Sequence, residues 1–400
     1  MYCSHKINTC FTRAIIISII LLSGSCMRES FSPSQADSFI KFFGHYSYNA
    51  GAGVIALDNG GYVMAGTTAG DESGTNIILI LTDKFGNEIS SSQFGGIYDD
   101  YAYSIKVLSD GGFAILGSTT VDEAGKTDMI LIRTDSQGNE LWIKNYGSDS
   151  NEVGYSLAET SDGGFILLGS TEMETGVKNI IMVKTDSDGE SGGLGNWIKI
   201  HGGYANDDVG LDIAETEYGY IFTGYTRNNP QSNSDIFIVK TNSVGMVTFP
   251  HAYGSGENDY GKSIIPHPEG GYAVLGTISN SSSVKNVFLG RLEEDISKSM
   301  WTKSIGGSLN HVAACMKITP EGNYIITGTR ELSEENNVIF LLKTDPMGNE
   351  IFFQTYGGSG RQRAESVDIA HDGGYIITGT NETGGTSMIT LIKTDPEGKL

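Results

Sequence analysis

The chain has 400 residues, of which 38% are hydrophobic and 18% are charged, and its formal net charge at neutral pH is −22. This charge argues against binding to a nucleic-acid backbone, which requires clustered lysine and arginine side chains. The 54 glycines against eight prolines indicate many tight turns in a folded protein rather than a disordered linker. Cations and neutral polar molecules are the ligands that the overall charge favours.

The N-terminal segment has the features of a secretory signal. Two basic residues precede an apolar run at residues 14–22, which is too short to span about 30 Å of hydrocarbon. The run Ser23-Gly24-Ser25-Cys26 resembles the lipobox of bacterial lipoprotein precursors. The resemblance implies removal of residues 1–25 and diacylation of Cys26. Cleavage by an ordinary signal peptidase, giving a secreted protein, is the alternative.

Residues 26–37 are polar without strand-like alternation, and we interpret them as a tether between the lipid and a folded body. After cleavage the chain would keep two cysteines, Cys26 and Cys315. Because acylation would occupy the first, no intrachain disulfide is expected.

A repeat unit covers residues 38–400, which are therefore predicted to form a single domain. The segment at residues 110–148 recurs with a period of about 52 residues, a length typical of propellers and solenoids. Its best-kept aromatic residue follows a Gly-Gly pair and appears as Tyr62, Phe113, Phe165, Tyr220, Tyr272, Tyr324 and Tyr375.

Each repeat is predicted to contain four strands separated by hairpin turns. In the second repeat the strands are residues 103–108, 112–119, 128–135 and 140–147. The turn between the third and fourth strands recurs with Gly and Asn where positive φ is needed, and only residues 292–296 lack the pattern. One copy, Asp186-Ser187-Asp188-Gly189-Glu190, resembles part of a calcium loop, but the shared turn pattern favours a hairpin.

The two ends of the chain distinguish a closed ring from an open stack. The last repeat stops before its outer strand, while residues 39–43, FIKFF, match the outer strand WIKNY at residues 142–146. The N-terminal strand can therefore complete the last blade, and closure removes exposed sheet edges. We predict an all-β, seven-bladed β-propeller of four-stranded blades, closed by the N-terminal strand and monomeric.

Aromatic residues at the start of the outer strands support this arrangement. Only Ser90 interrupts the set, and packing of each ring between blades should contribute about 1.5 to 3 kcal/mol. The members are Phe39, Trp142, Trp197, Phe249, Trp301 and Phe352.

Two resemblances follow from these motifs. Asp135, Gly138 and Trp142 are similar to the tryptophan-docking repeats of quinoprotein-like propellers. The Gly-Gly-aromatic, Thr-Asp-x-x-Gly-Asn and Tyr-Gly-Gly motifs over residues 38–400 resemble the seven-bladed propeller repeats of bacterial secreted proteins and lipoproteins. The resemblance implies this fold and a cell-envelope location, with the outer membrane expected, and it carries over no catalytic residue.

Motifs for catalysis are weak. A quinone- and calcium-dependent dehydrogenase would need a calcium site, and a sialidase-like enzyme would need an arginine clamp, for which Arg330, Arg361 and Arg363 are only loosely grouped. No metal ligands and no catalytic residues are predicted. The histidines without metal-ligand spacing are interpreted as turn or surface residues, namely His201, His251, His267, His311 and His371.

A set of polar residues near the start of each innermost strand is the strongest candidate site. Its members are Asn49, Asp100, Glu152, Asp208, Asp259, His311 and Gln362. Four consecutive blades carry a carboxylate, so we expect Asp100, Glu152, Asp208 and Asp259 to form an acidic arc at the channel mouth. Such an arc could bind a polar ligand or calcium, although no cofactor is required. A solvated loop without a ligand is the alternative.

Variable loops between the second and third strands are expected on the same face, as at residues 68–75, 120–127 and 227–234. A sugar could be bound there by Tyr225, Asn228, Asn229, Gln231 and Asn233. We therefore predict an envelope lipoprotein that acts as a non-catalytic binding or scaffolding propeller for a glycan or protein. A propeller enzyme, quinone- or calcium-dependent or glycan-active, is the alternative.

Overall fold

The computed structural model describes residues 38–44, 47–70, 74–202, 207–227 and 233–400. The predicted signal segment, Cys26 and the tether lie outside these residues. Within them, 28 strands form seven four-stranded antiparallel sheets, which confirms the predicted propeller. In this part of the chain no helix has the length and apolar character needed to cross a membrane.

The strands follow the repeat, and blades are numbered in chain order. Strand β1 covers Phe39–Phe43 and belongs to blade 7. Blades 1 to 4 contain β2 Asn49–Ala56, β3 Tyr62–Ala69, β4 Thr75–Thr82, β5 Glu88–Phe94, β6 Asp100–Val107, β7 Phe113–Thr120, β8 Thr127–Thr134, β9 Glu140–Tyr146, β10 Asn151–Glu159, β11 Phe165–Glu172, β12 Lys178–Thr185, β13 Trp197–His201, β14 Asp207–Thr216, β15 Gly219–Arg227, β16 Asp235–Asn242 and β17 Val247–Tyr253. Blades 5 to 7 contain β18 Tyr260–Pro266, β19 Tyr272–Ser279, β20 Lys285–Leu292, β21 Ser299–Ile305, β22 Asn310–Ile318, β23 Tyr324–Ser333, β24 Asn336–Thr344, β25 Glu350–Tyr356, β26 Arg361–Ile369, β27 Tyr375–Thr383 and β28 Thr386–Thr394.

The turns between third and fourth strands are hairpins held by an aspartate, as predicted. Asp135 Oδ1 accepts hydrogen bonds from the amides of Gln137 and Asn139, both at 2.9 Å, and Gly138 has a φ of +83°. Asp186 accepts in the same way from the amides of Asp188 and Glu190, at 3.0 and 2.9 Å. The sequence that resembled a calcium loop therefore forms the same turn as its counterparts.

The ring closes as the sequence predicts. Strand β1 pairs antiparallel with β28, from Phe39 opposite Lys393 to Phe43 opposite Ile389. Phe43 is 8% exposed and packs in the core between blades 7 and 1, in a cluster with Val54. The two ends of the folded chain thus share one sheet.

The two periodic aromatic sets are partners across the blade interfaces. Trp142 meets the ring of Phe165 in the next blade edge-on, with centroids 6.0 Å apart. The same contact joins Trp197 to Tyr220, and Gly189 lies so close to Trp142 that a Cβ there would come within 2.8 Å of the indole. The predicted inter-blade role of the outer-strand aromatics is confirmed for five of the six, whereas Phe249 is 40% exposed and contacts no ring of the next blade among the described residues. The contacts also explain the glycine of the adjoining turn.

Every innermost strand contains a β-bulge at the same place. Pairing with the second strand skips one residue in each blade, and a bulge of this kind redirects a side chain. The skipped residues, which we call the bulge residues, are Ala52, Tyr103, Tyr155, Leu211, Lys262, Ala314 and Glu365.

Candidate ligand site at the channel mouth

The predicted acidic arc is not an open cluster. Asp100, Glu152, Asp208 and Asp259 are 1%, 1%, 5% and 0% exposed. Glu152 accepts hydrogen bonds from the hydroxyls of Ser148 and Thr171, at 2.7 and 2.8 Å. These carboxylates are buried at the blade edge, where Asp100, Glu152 and Asp259 bind the segment that enters their inner strands.

The remaining contacts of the arc are also within the fold. Asp259 accepts from the amide of Ser279 at 2.8 Å, and Asp100 accepts from the amide of Gly96 at 2.9 Å. Burial raises the pKa of Asp100 and of Asp208, against opposing hydrogen bonds from Thr119 and Thr226. Among the described residues, no three His, Cys, Asp or Glu side chains are grouped so as to hold a metal ion. Binding of calcium or another ligand by the arc stays a prediction.

Several bulge residues face the axis of the ring. Lys262 in blade 5 interacts electrostatically with Glu365 and Arg363 in blade 7, two blades away, which is possible only across the central channel. Burial lowers the pKa of Lys262 and raises that of Glu365, while their mutual attraction opposes both shifts. Tyr103 and Tyr155 meet edge-on in the channel, with ring centroids 5.3 Å apart. The channel is therefore lined by residues that differ from blade to blade.

Two aspartates further along the channel connect three blades each. Asp212 of blade 4 accepts hydrogen bonds from the Ser156 hydroxyl of blade 3 and the Ile264 amide of blade 5, both at 2.8 Å. Asp368 of blade 7 accepts from the Ala56 amide of blade 1 at 3.0 Å and pairs with Lys317 of blade 6 at 3.3 Å. These contacts hold neighbouring inner strands in position around the channel.

A cavity of about 610 Å³ opens at one end of this channel, between blades 7, 1 and 2. We call it the mouth cavity. Its size is within the range of small-molecule sites, about 300 to 1,000 Å³. Its walls are formed by Ser47, Tyr48, Ala50, Gly51, Ala52, Thr67, Tyr101, Ala102, Tyr103, Arg361, Arg363, Glu365, Thr380, Glu382, Gly385, Thr386 and Ser387.

One wall of the mouth cavity is aromatic. Tyr48 and Tyr103 are 42% and 39% exposed, and Tyr101 stands beside them. Burial, followed by the neighbouring Tyr155, raises the pKa of Tyr103 to about 12, so its phenol stays protonated at neutral pH. Burial also raises the pKa of Tyr48. Protonated phenols present both a flat apolar face and a hydrogen-bond donor.

The opposite wall is charged. Arg361 pairs with Glu335 at 3.2 Å, and Arg363 pairs with Glu365 at 3.8 Å. The two arginine side chains are 45% and 70% exposed. None of the residues lining the cavity is Val, Leu, Ile, Met or Phe. Such a surface suits a polar ligand with a face that can lie on tyrosine rings.

Other residues considered from the sequence lie elsewhere. Tyr225 packs edge-on against Tyr260 at 5.2 Å, and Asn228, Asn229 and Gln231 are outside the described residues. Arg330 lies over the ring of Phe353, 5.9 Å from its centroid, and is not a wall of the mouth cavity.

The interpretation of the histidines as turn or surface residues is wrong for His311, which lies within β22, whereas His267 stands at the start of the turn after β18 and is buried there. His267 and His311 are 9% and 6% exposed. Burial lowers the pKa of both rings, so their neutral forms are favoured inside the fold. His311 occupies the arc position of blade 6 and packs edge-on against Phe340 and Phe353.

The tyrosines of the mouth cavity were not predicted from the sequence as site residues. The sequence does contain a signal for channel-facing residues. The residue type three positions after each arc residue differs from blade to blade, whereas the arc residue itself is always polar. Residues that a fold needs recur in every copy of a repeat, and residues that bind a ligand need to occur only once. Tyr103 and Glu365 belong to the variable class.

Comparisons with known proteins agree with the fold. No family model matches the chain. The regulatory protein FlaEY of Caulobacter vibrioides is 23% identical over 348 residues, which cover 78% of this chain and 35% of that protein. The chain therefore spans about a third of the length of this relative.

Solved structures of similar shape include a β-propeller domain. The β-propeller domain of the Trilobed protease from Pyrococcus furiosus superimposes with a TM-score of 0.51 and 11% identity, covering 88% of this chain and 96% of that one. A puromycin hydrolase gives a TM-score of 0.55 and 10% identity, covering 86% of this chain and 54% of that one. At these identities the similarity concerns the fold alone.

Proposed function

We propose that this chain is a non-catalytic binding propeller that recognises a glycan or a protein partner on its loop-rich face. The mouth cavity is the observation that supports this proposal most directly. It combines three tyrosines, two arginines and several hydroxyl groups in one concave surface, and the adjoining loop of blade 7 contributes Gly385 and Thr386. The FlaEY relative carries the name of a regulatory protein, with which a binding role is compatible.

The proposed location is the bacterial cell envelope, with Cys26 carrying the lipid anchor, the outer membrane as the target and the folded body monomeric. The lipobox-like sequence before Cys26 supports it. Metabolic labelling with a fatty acid should mark the wild-type protein and leave Cys26→Ser unlabelled. An unlabelled wild-type protein in the medium would instead indicate ordinary secretion.

A thermal-shift screen tests the binding function. The purified protein is heated with a panel of polysaccharides and peptides, and with calcium and a quinone cofactor as probes of the enzyme alternative. A ligand at about 100 times its dissociation constant adds roughly 2.7 kcal/mol to the free energy of unfolding. Stabilisation by calcium or quinone alone would contradict a non-catalytic role and revive the enzyme alternative.

Two tyrosine variants test whether any binding that is found occurs in the mouth cavity. Tyr103→Ala removes an aromatic wall of the mouth cavity and should weaken binding about tenfold or more, because buried aromatic contacts of ligands contribute over 1 kcal/mol. Tyr218→Ala is the matched control, since Tyr218 is 76% exposed in a turn on the opposite face. Equal affinity of both variants in titration calorimetry would exclude the mouth cavity as the site.

A further inference from the structure

Two arginines stand side by side at the edge of the mouth cavity. Arg361 and Arg363 alternate along β26 and are exposed, while Gln362 between them is 7% exposed and faces into the blade. Their guanidinium groups are therefore on the same side of the strand. By contrast, Arg133 and Arg291 donate hydrogen bonds to backbone carbonyls of their own blades.

The existing partners of these two arginines hold them weakly. Both pairs are open to solvent, and exposed ion pairs contribute about 1 kcal/mol or less. Glu365 is also attracted to Lys262 across the channel, so its charge is shared between two cations. A ligand carboxylate at the mouth can therefore compete for the guanidinium groups, which bind carboxylates through two parallel hydrogen bonds.

The rest of the cavity favours a sugar ring over a peptide. A sugar ring presents an apolar face that can stack on Tyr48, Tyr101 and Tyr103, and its hydroxyls need polar partners. The Thr380 hydroxyl accepts from the Gly51 amide at 3.2 Å and keeps its own proton to donate. A peptide side chain such as leucine would find no aliphatic pocket there.

From these contacts we infer that the mouth cavity binds a saccharide bearing carboxylate groups, of the uronic acid class. This inference rests on the binding function proposed above and specifies its ligand. The net charge of −22 repels an anion at long range, but physiological salt screens that repulsion beyond about 8 Å. Within that distance Arg361 and Arg363 favour an anion, while Glu365 and Glu382 of the same cavity oppose it, so an acidic ligand must pair directly with the guanidinium groups.

Matched oligosaccharides test the inference. Oligomers of galacturonic, glucuronic and mannuronic acid are titrated into the full-length protein beside the same oligomers with their carboxyl groups reduced to alcohols. The acidic form of at least one oligomer should bind about fivefold to thirtyfold more tightly than its reduced form, because ion pairs with the exposed side chains of Arg361 and Arg363 each contribute up to about fivefold in affinity.

Arginine variants test whether the preference for the acidic oligomer arises in the mouth cavity. Arg363→Gln should remove most of the preference for the acidic form, and Arg363→Lys, which keeps the charge but not the bidentate geometry, should remove part of it. Lys298→Gln is the control, because Lys298 is 63% exposed in a turn on the opposite face. Unchanged melting temperatures of the variants would show that they fold.

The possible outcomes separate the inference from the binding function. Equal binding of acidic and reduced oligomers, weakened by Tyr103→Ala, would overturn the inference and leave the binding function standing. Binding of acidic peptides without any oligosaccharide would overturn it in favour of a protein partner. If no oligosaccharide or peptide binds, both proposals fail.

Discussion

A basic residue near the end of the third strand reaches back to the first hairpin turn in several blades. Lys184 donates to Asp162 and to the carbonyl of Thr185, at 2.9 and 2.8 Å, and its side chain is 5% exposed. Lys393 donates to Asp372 at 2.7 Å in the corresponding position of blade 7. Because the ammonium groups are buried, each needs the turn aspartate as its counter-charge.

This pairing predicts a loss of stability in acid. Partial burial acts to raise the pKa of Asp162, but hydrogen bonds from Thr160 and Lys184 outweigh it and lower the pKa to about 2. This folded-state pKa lies below the unfolded value of about 3.9. The carboxylate therefore stabilises the fold fully above a pH of about 3.9, and this contribution is lost as the pH falls through about 2. Asp162→Asn should therefore lower the free energy of unfolding near neutral pH, by about 1 kcal/mol or less because the carboxylate is largely exposed.

Denaturant titrations at neutral and acidic pH check this expectation. The difference between wild type and Asp162→Asn should shrink as the pH falls through about 2, because Asp162 becomes protonated and then carries no charge, like asparagine. Asp188→Asn, at the exposed tip of another turn, makes the same charge change without a buried cation beside it. A difference for Asp162→Asn that persists unchanged into acid would contradict the proposed ion pair.

Strand β1 is the element whose contribution is easiest to isolate, because two adjacent phenylalanines in it face opposite ways. Phe43 is 8% exposed in the core of blades 7 and 1, and Phe42 is 47% exposed. Phe43→Ala should destabilise the protein by about 3 kcal/mol, since a buried ring is lost and a cavity remains. Phe42→Ala should change stability by less than about 1 kcal/mol.

Chemical denaturation of the two variants measures both values. The same pair also tests ring closure, because Phe43 can contribute to stability only if β1 stays paired with β28 in solution. Equal and small effects of the two substitutions would mean that β1 is detached from blade 7.

At the scale of the whole molecule, the number of blades, the four strands of each and the mode of closure could all be predicted from the sequence. Turn glycines and interface aromatics recur in most blades because each copy must solve the same packing problem, as Trp142 and Gly189 illustrate. The arc positions recur as polar residues for a related reason, because the fold uses them, as Asp259 illustrates by accepting from the Ser279 amide.

The channel could not be predicted in the same way. One bulge in each inner strand changes which side chain faces the axis, and alternation along a strand does not reveal a bulge. Arg361 and Arg363 are evident in the sequence. That they share a cavity with Tyr103 depends on how blades 7, 1 and 2 are arranged around the ring.

The pairing of β1 with β28 also determines when the ring can close during synthesis of the chain. Strand β1 is synthesised long before β28, and it has no sheet to join until β28 is complete. At about 5 to 20 residues per second, the intervening chain takes on the order of 20 to 70 s to synthesise. During that interval the apolar side of β1 and the edge of blade 1 lack their final partners. The cell must protect both from aggregation, or keep the chain unfolded, until β28 emerges.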